Sequence, residues 1–175
     1  MTNPYVPEFS TYSFMDVTAV LYGPGVNGLT IGGPHSASAE EGVTVTLSEE
    51  TNTQTIGADG SVMNSLHASR AGTATFRLLK TSPVNQGLMR VYNYQRTQSN
   101  IWGLNTIVIR DVAREDLYTC QGCAFVRFPT NAYAKLGNTL EWEFHVSVVD
   151  ASLGWGINFE FSEGTFQGPA GGVTV

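Results

Sequence analysis

Charge is scarce in this sequence. Asp, Glu, Lys and Arg make up 14% of it, against about a quarter of an average globular chain. The basic charge is also dispersed, with nine Lys and Arg scattered from Arg70 to Lys135 and never clustered. A protein that grips nucleic acid carries a basic stripe that neutralises phosphates. The sequence therefore excludes a binding groove of that kind, though not a place beside DNA in a role that avoids holding it. No run approaches the ~20 apolar residues of a membrane span. The opening residues, MTNPYVPEFS, lack a basic region followed by an apolar stretch, so no secretory signal is expected. Cysteine is nearly missing: Cys120 and Cys123 are the only two, and a structural zinc site normally needs four ligands.

What the sequence does have is Thr, Val and Gly. Hydrophobic residues are 42% of the chain and Gly occurs 19 times, a composition that suits a protein rich in strands and turns. The 175 residues are enough for one domain with its own core. The expected organisation is a single domain over residues 1–175, with an extended arm at 1–11 containing Pro4 and Pro7, and a Gly-rich tail at 163–175. Net charge is −6, and several acids are paired: Glu40-Glu41, Glu49-Glu50 and Glu115-Asp116.

Along the chain, Met15–Tyr22 reads as a strand, GPGVNG as a turn, and Leu29–Ile31 as the return. From Gly42 to Thr55 the sequence is GVTVTLSEETNTQT. Apolar Val43, Val45 and Leu47 alternate with Thr44, Thr46, Ser48 and, further on, Glu50, the period-two pattern of a strand with one core face. Val43–Glu49 and Thr51–Ile56 are expected to pair as a hairpin, followed by the turn GADG. SVMNSLHAS fits either a short helix or an irregular loop, and Thr73–Lys80 is a strand. One helix is plain. Ser82 suits the N-cap and Pro83 the first turn, and Val84, Leu88, Val91 and Tyr92 make an apolar stripe. Asn85, Gln86, Arg90 and Asn93 take its other face, and it ends near Arg96. Asn105–Arg110, Leu117–Phe128, Leu140–Val149 and Trp155–Phe161 are further strands. The order is mainly β, a sandwich or barrel with one flanking α-helix.

Candidate chemistry is thin. Cys120 and Cys123 have CxxC spacing, yet redox pairs of this type open a helix, and LYTC and AFVRF are β-forming. Two small thiols on a strand, with Gly122 at a bulge, is the competing reading. His35, His67 and His145 lack metal spacing. Adjacent carboxylates such as Glu49 and Glu50 point to opposite faces of a strand, which argues against a glycosidase dyad. TIGADGSVMNS offers only Asp59 to a calcium ion. Trp102, Trp142 and Trp155 could build a carbohydrate platform, but in LEWEFHV Trp142 shares a face with Leu140, Phe144 and Val146, opposite Glu141, Glu143 and His145.

An ordered series of segments carries a resemblance: YSFMDVTAVLYGPG, EEGVTVT, TIGADGSVMNSLHASRAGTATFRLLKTSPVNQGLM, YNYQRTQSNIWGLNTIVIRD and YAKLGNTLEWEF. Over residues 12–150 the chain resembles the tail tube proteins of contractile-tailed bacteriophages, relatives of the type VI secretion tube proteins. The most distinctive stretch is HASRAGTATFRLLKTSPVN, in which Ser69 stands where the family pattern has glycine.

The resemblance implies a β-barrel-like tail-tube fold, hexameric rings with a shared inner β-barrel, and rings stacked into the hollow tube that delivers phage DNA inside a contractile sheath. It implies a structural virion protein of the phage tail, assembled in the host bacterial cytoplasm, with no enzyme activity and no cofactor. Its partners would be further copies of itself, the sheath protein, baseplate and tail terminator proteins, and the tape measure protein and DNA within the bore. No membrane insertion by this chain is implied. On that basis Thr44, Thr46, Ser48 and Glu50 are expected to face the bore. The arm, the TIGADGSVMNSLHAS segment and the tail would make contacts between rings or subunits, with Tyr5, Asp59, Met63 and His67 as candidates. Three alternatives stand beside this: another tail component on the same fold (a terminator or baseplate tube protein), a carbohydrate-binding β-sandwich, and a redox protein using the CxxC pair.

Overall fold

The computed structural model describes residues 11–33, 36 and 38–154. Most of the arm, the 163–175 tail and the strand expected at Trp155–Phe161 lie outside the described residues. A short 3-10 turn, Phe14–Asp16, leads into β1 (Val17–Gly23), which folds back on β2 (Val26–Gly32). Then follow β3 (Ser38–Leu47), β4 (Asn52–Ile56), β5 (Val62–Leu66), β6 (Gly72–Leu79), α1 (Val84–Arg96), β7 (Asn105–Asp111), β8 (Asp116–Arg127) and β9 (Thr139–Ser152). Seven strands form one antiparallel sheet in the order β2-β1-β7-β8-β9-β6-β3, and β4 and β5 form a separate two-stranded sheet. The large sheet curls into a half-barrel, so that its two edge strands approach at Gly32 and Val43.

The core lies on one face of that sheet and follows from alternation. On β6, Ala74, Phe76 and Leu78 turn inward, and on β9 Leu140, Trp142, Phe144 and Val146 do the same. The helix closes this face with Val84, Leu88 and Val91. Ser82 starts it as expected: Val84 N–H donates to Ser82 Oγ at 3.3 Å, and Pro83 already has helical φ and ψ of −65° and −21°. Gly87 lets the helix settle on β2, since a Cβ there would come within 3.2 Å of the Leu29 methyls.

Two polar helix residues do work inside the fold. Asn85, expected on the outer face, accepts a hydrogen bond from the Trp142 indole N–H at 2.9 Å, which gives that buried donor its partner. Gln95 and Asn105 are both fully buried and exchange reciprocal amide hydrogen bonds of 2.7 and 2.9 Å. Gln95 also donates to Pro24 O, and Asn105 to Cys123 O, each at 2.9 Å. One satisfied network thus ties the end of α1 to the β1–β2 turn and to β8.

Three local expectations are corrected. β3 does not pair with the next strand. It pairs with β6, placing Val43 opposite Phe76 and Val45 opposite Ala74, because those partners offer an apolar face that Thr51–Ile56 lacks. SVMNSLHAS is neither helix nor loop at its centre: Val62–Leu66 is β5, paired with β4 from Asn52↔Leu66 to Ile56↔Val62. Leu47, expected in the core, is 49% exposed, since it ends the strand opposite Gly72, which has no side chain to cover it.

Candidate functional site

The face of the sheet turned away from the core is polar across β3, β6 and β9, with Arg127 at the end of β8 beside it. Directly paired residues project on the same side of an antiparallel sheet, so the register reads out this face. Thr44 and Thr46 lie opposite Thr75 and Thr73 of β6. Thr73, Thr75 and Arg77 lie opposite His145, Glu143 and Glu141 of β9. Arg127 of β8 in turn sits opposite Glu143. The result is rows of hydroxyls beside rows of alternating charge. Arg77 Nε donates to Glu141 Oε2 at 2.9 Å, and Arg77 Nη1 donates to Thr44 Oγ1 at 3.3 Å. Such exposed ion pairs contribute up to about 1 kcal/mol each, so their importance is in the charge they present.

Of the residues expected to face a bore, Thr44 and Thr46 are on this surface and exposed. Ser48 and Glu50 lie past the end of β3, on the way to the β4–β5 hairpin. The structure adds Thr73, Thr75, Arg77, Glu141, Glu143 and His145 to the same face. The alternation in TATFRLLK and LEWEFHV already carried that signal, but only the strand order places these residues beside Thr44 and Thr46.

Asp59, Met63 and His67 belong to the projecting β4–β5 hairpin and the residues next to it, while Tyr5 lies outside the described residues. Asp59 sits at the tip. Ser61 donates to its carboxylate through its hydroxyl at 2.6 Å and its backbone N–H at 3.0 Å, which holds the carboxyl below its ordinary range. Met63 shares a hairpin face with Thr53, Thr55 and Ser65. His67 Nε2 lies 2.8 Å from Thr53 Oγ1.

Cys120 and Cys123 are free thiols with no exposed surface. Burial pushes their pKa values up to about 11 and about 12, the reverse of what a reactive thiol needs. Among the described residues, no group of three or more His, Cys, Asp and Glu could hold a metal ion, and no helix is long and apolar enough to cross a membrane. Trp142 is core, not platform. It packs on Phe125 at 6.0 Å, and Trp102 packs on Tyr92 at 5.8 Å; Trp155 lies outside the described residues. An open groove between α1 and β2, lined by Val26, Leu29, Arg90 and Tyr94, brings no acid and base together.

A family model described as Bacteriophage PhiTE tail tube protein matches residues 9–154. No curated protein matches the chain. Among solved structures, the PVC sheath-tube complex of an extracellular contractile injection system, in its extended state, aligns with a TM-score of 0.52 at 11% identity, covering 87% of this chain and 99% of that one. The anti-feeding prophage baseplate aligns at 0.48 with 14% identity, covering 83% and 97%. The tube-terminating cap of the same prophage aligns at 0.47 with 7% identity, covering 85% and 94%. At these identities the likeness is one of fold, and the sheath-tube complex shares it.

Proposed function

Since this chain belongs to the bacteriophage PhiTE tail tube protein family, we propose that it closes into homohexameric rings and that these rings stack into the hollow tube of a contractile tail. Its role is structural, as a component of the phage tail tube. The observation that carries the finer reading is the polar face shared by β3, β6 and β9, with Arg127 of β8 beside it, on a curled sheet whose outermost strands, β2 and β3, each have one edge unpaired among the described residues. An open strand edge is a liability unless something pairs with it, and a closed ring of copies removes it. In such a ring the polar face lines the bore.

Thr44 and Thr46 are the bore residues of β3 in this reading, with Ser48 and Glu50 at the rim. The lining is hydroxyl rows plus arginines in register with glutamates, with no cationic cluster to anchor phosphate, so DNA and the tape measure protein pass without being held. The hairpin with Asp59, Met63 and His67, together with the arm containing Tyr5, makes contacts between rings or subunits. The sheath protein meets the outer surface, and baseplate and terminator proteins meet the tube ends. The protein performs no catalysis and needs no cofactor; it is a virion component assembled in the host cytoplasm.

Negative-stain electron microscopy of the concentrated, purified protein tests this. Long hollow tubes are the expected result and separate a main tube subunit from a terminator or baseplate component, which does not polymerise by itself. Monomers only, at every concentration and salt, would contradict the reading.

A further inference from the structure

The long strands of the polar sheet have two ends, and each end carries apolar side chains that nothing among the described residues covers. At the Gly72 end of β6, the β3–β6 ribbon runs on past the large sheet. Ser48 N–H donates to Ala71 O and His67 N–H to Thr51 O, both at 2.9 Å, and the β4–β5 hairpin continues from there. Every residue of the two strands except Ser65 is exposed. Ile56 (67% exposed), Val62 (55%) and Leu66 (82%) share one face of it. A two-stranded hairpin of this kind is marginal in water.

At the Leu79 end of β6, residues 128–138 join β8 to β9. They expose Tyr133 (89%) and Leu136 (81%). This loop is fixed in place: Lys80 Nζ donates to Ala132 O at 2.6 Å and lies 4.0 Å from the centre of the Tyr133 ring. Clustered exposed apolar side chains of this sort mark interaction surfaces.

The two ends differ in charge. Between Ser48 and Ser69 the chain carries Glu49, Glu50 and Asp59 but no Lys or Arg. The segment 126–138 carries Arg127 and Lys135 but no acid, and Lys80 stands beside it. Two apolar surfaces of opposite charge, at opposite ends of one strand, are out of each other's reach within a subunit. Joined between copies they make a head-to-tail contact that repeats along an open stack.

We propose that the β4–β5 hairpin of one copy docks on the 128–138 loop of the next copy along the strand direction. Ile56, Val62 and Leu66 pack against Tyr133 and Leu136, and the hairpin acids face Lys135. This contact rests on the tube reading above and supplies its axial joint.

Two double variants test it, I56S/V62S at the hairpin and Y133S/L136S at the loop, with electron microscopy for assembly and thermal melting for fold. Each variant is expected to melt close to the wild type, the loop variant slightly lower for loss of the Lys80–Tyr133 contact, and to stop at single rings. An equal mixture is expected to give stacks of two rings, because each partner keeps one sound end. In a second arm, Lys135→Glu is expected to raise the concentration needed for tube growth about tenfold, equivalent to roughly 1.4 kcal/mol, and Asp59→Lys in the same chain is expected to restore it. Tubes of normal length from Y133S/L136S would overturn the contact. So would a melting temperature for that variant well below that of a Lys80→Ala control, which loses the same Lys80–Tyr133 contact, because the extra loss would mean that the loop is covered within its own subunit. A wild-type chain that forms neither rings nor tubes would instead contradict the tube reading itself.

Discussion

At the scale of single residues, Gly122 does more than turn a chain. Its φ is +66°, and a Cβ there would lie 2.7 Å from Ser147 Oγ, so both backbone and space call for glycine. It is the extra residue between Thr106↔Gln121 and Asn105↔Cys123, a bulge that shifts the phase of β8 by one. Because of that shift Cys120, Cys123 and Phe125 all turn into the core. The thiols behave accordingly. Their folded pKa values of about 11 and about 12 exceed the ordinary value near ~8.5. Their contribution to stability is therefore complete below about pH 8.5 and is lost as pH rises toward the folded values. Urea unfolding at a series of pH values should show wild-type stability falling above pH ~8.5 by up to about 1.4 kcal/mol per pH unit for each thiol. That extra slope should be missing from a Cys120→Ala/Cys123→Ala variant. An equally steep loss in both proteins would mean that the thiols are not the cause.

At the scale of elements, the helix was the most legible part of the sequence, because cap, first-turn proline and stripe all lie within a dozen residues. Ser82 nevertheless has two tasks. It accepts from Val84 N–H and donates to Ser36 O at 2.5 Å, joining the helix start to the β2–β3 connection. Ser82→Ala should cost about 1–2 kcal/mol, read by thermal or urea unfolding. Ser82→Asp keeps the cap but not the donor, and should recover only part of the loss. Full recovery would assign the whole effect to capping. The β4–β5 hairpin was the least legible element. Thr51–Ile56 reads as a strand and β4 lies there, but SVMNSLHAS fits a short helix or a loop, because the apolar residues of β5 have no core of their own to set a period. The hairpin's register instead rests on main-chain pairing and on amide contacts such as Gln54 to Asn64 at 3.4 Å.

At the scale of the whole molecule, the notable property is incompleteness. Among the described residues, the outer edges of β2 and β3 stay open, the face of β3, β6 and β9 away from the core is polar, and both strand ends carry uncovered apolar groups. Each feature is a cost for a lone subunit, and the proposed tube of copies would meet it. The bore assignment has a direct test. Thr46→Arg adds a cation on the polar face beside Thr73, repeated in every subunit of every ring. Assembled tails carrying it should eject DNA more slowly than wild type, with the difference shrinking as salt rises. Unchanged ejection from tails shown to contain the variant would place Thr46 elsewhere.

Alternation within a strand and the stripe of a helix are local properties of the backbone. These patterns therefore locate most strands and the helix, put Thr44 and Thr46 on a shared polar face, and turn Trp142 and Phe144 inward before any packing is known. Which strands become neighbours is a non-local outcome. β3 passes over the nearby β4 to pair with β6, because only there do Val43 and Val45 meet Phe76 and Ala74. The same holds for the amide network of Gln95 and Asn105, for the phase shift at Gly122, and for the charge ladder of Arg77, Glu141 and Glu143. Each depends on residues far apart in the chain, which become neighbours through packing and register alone.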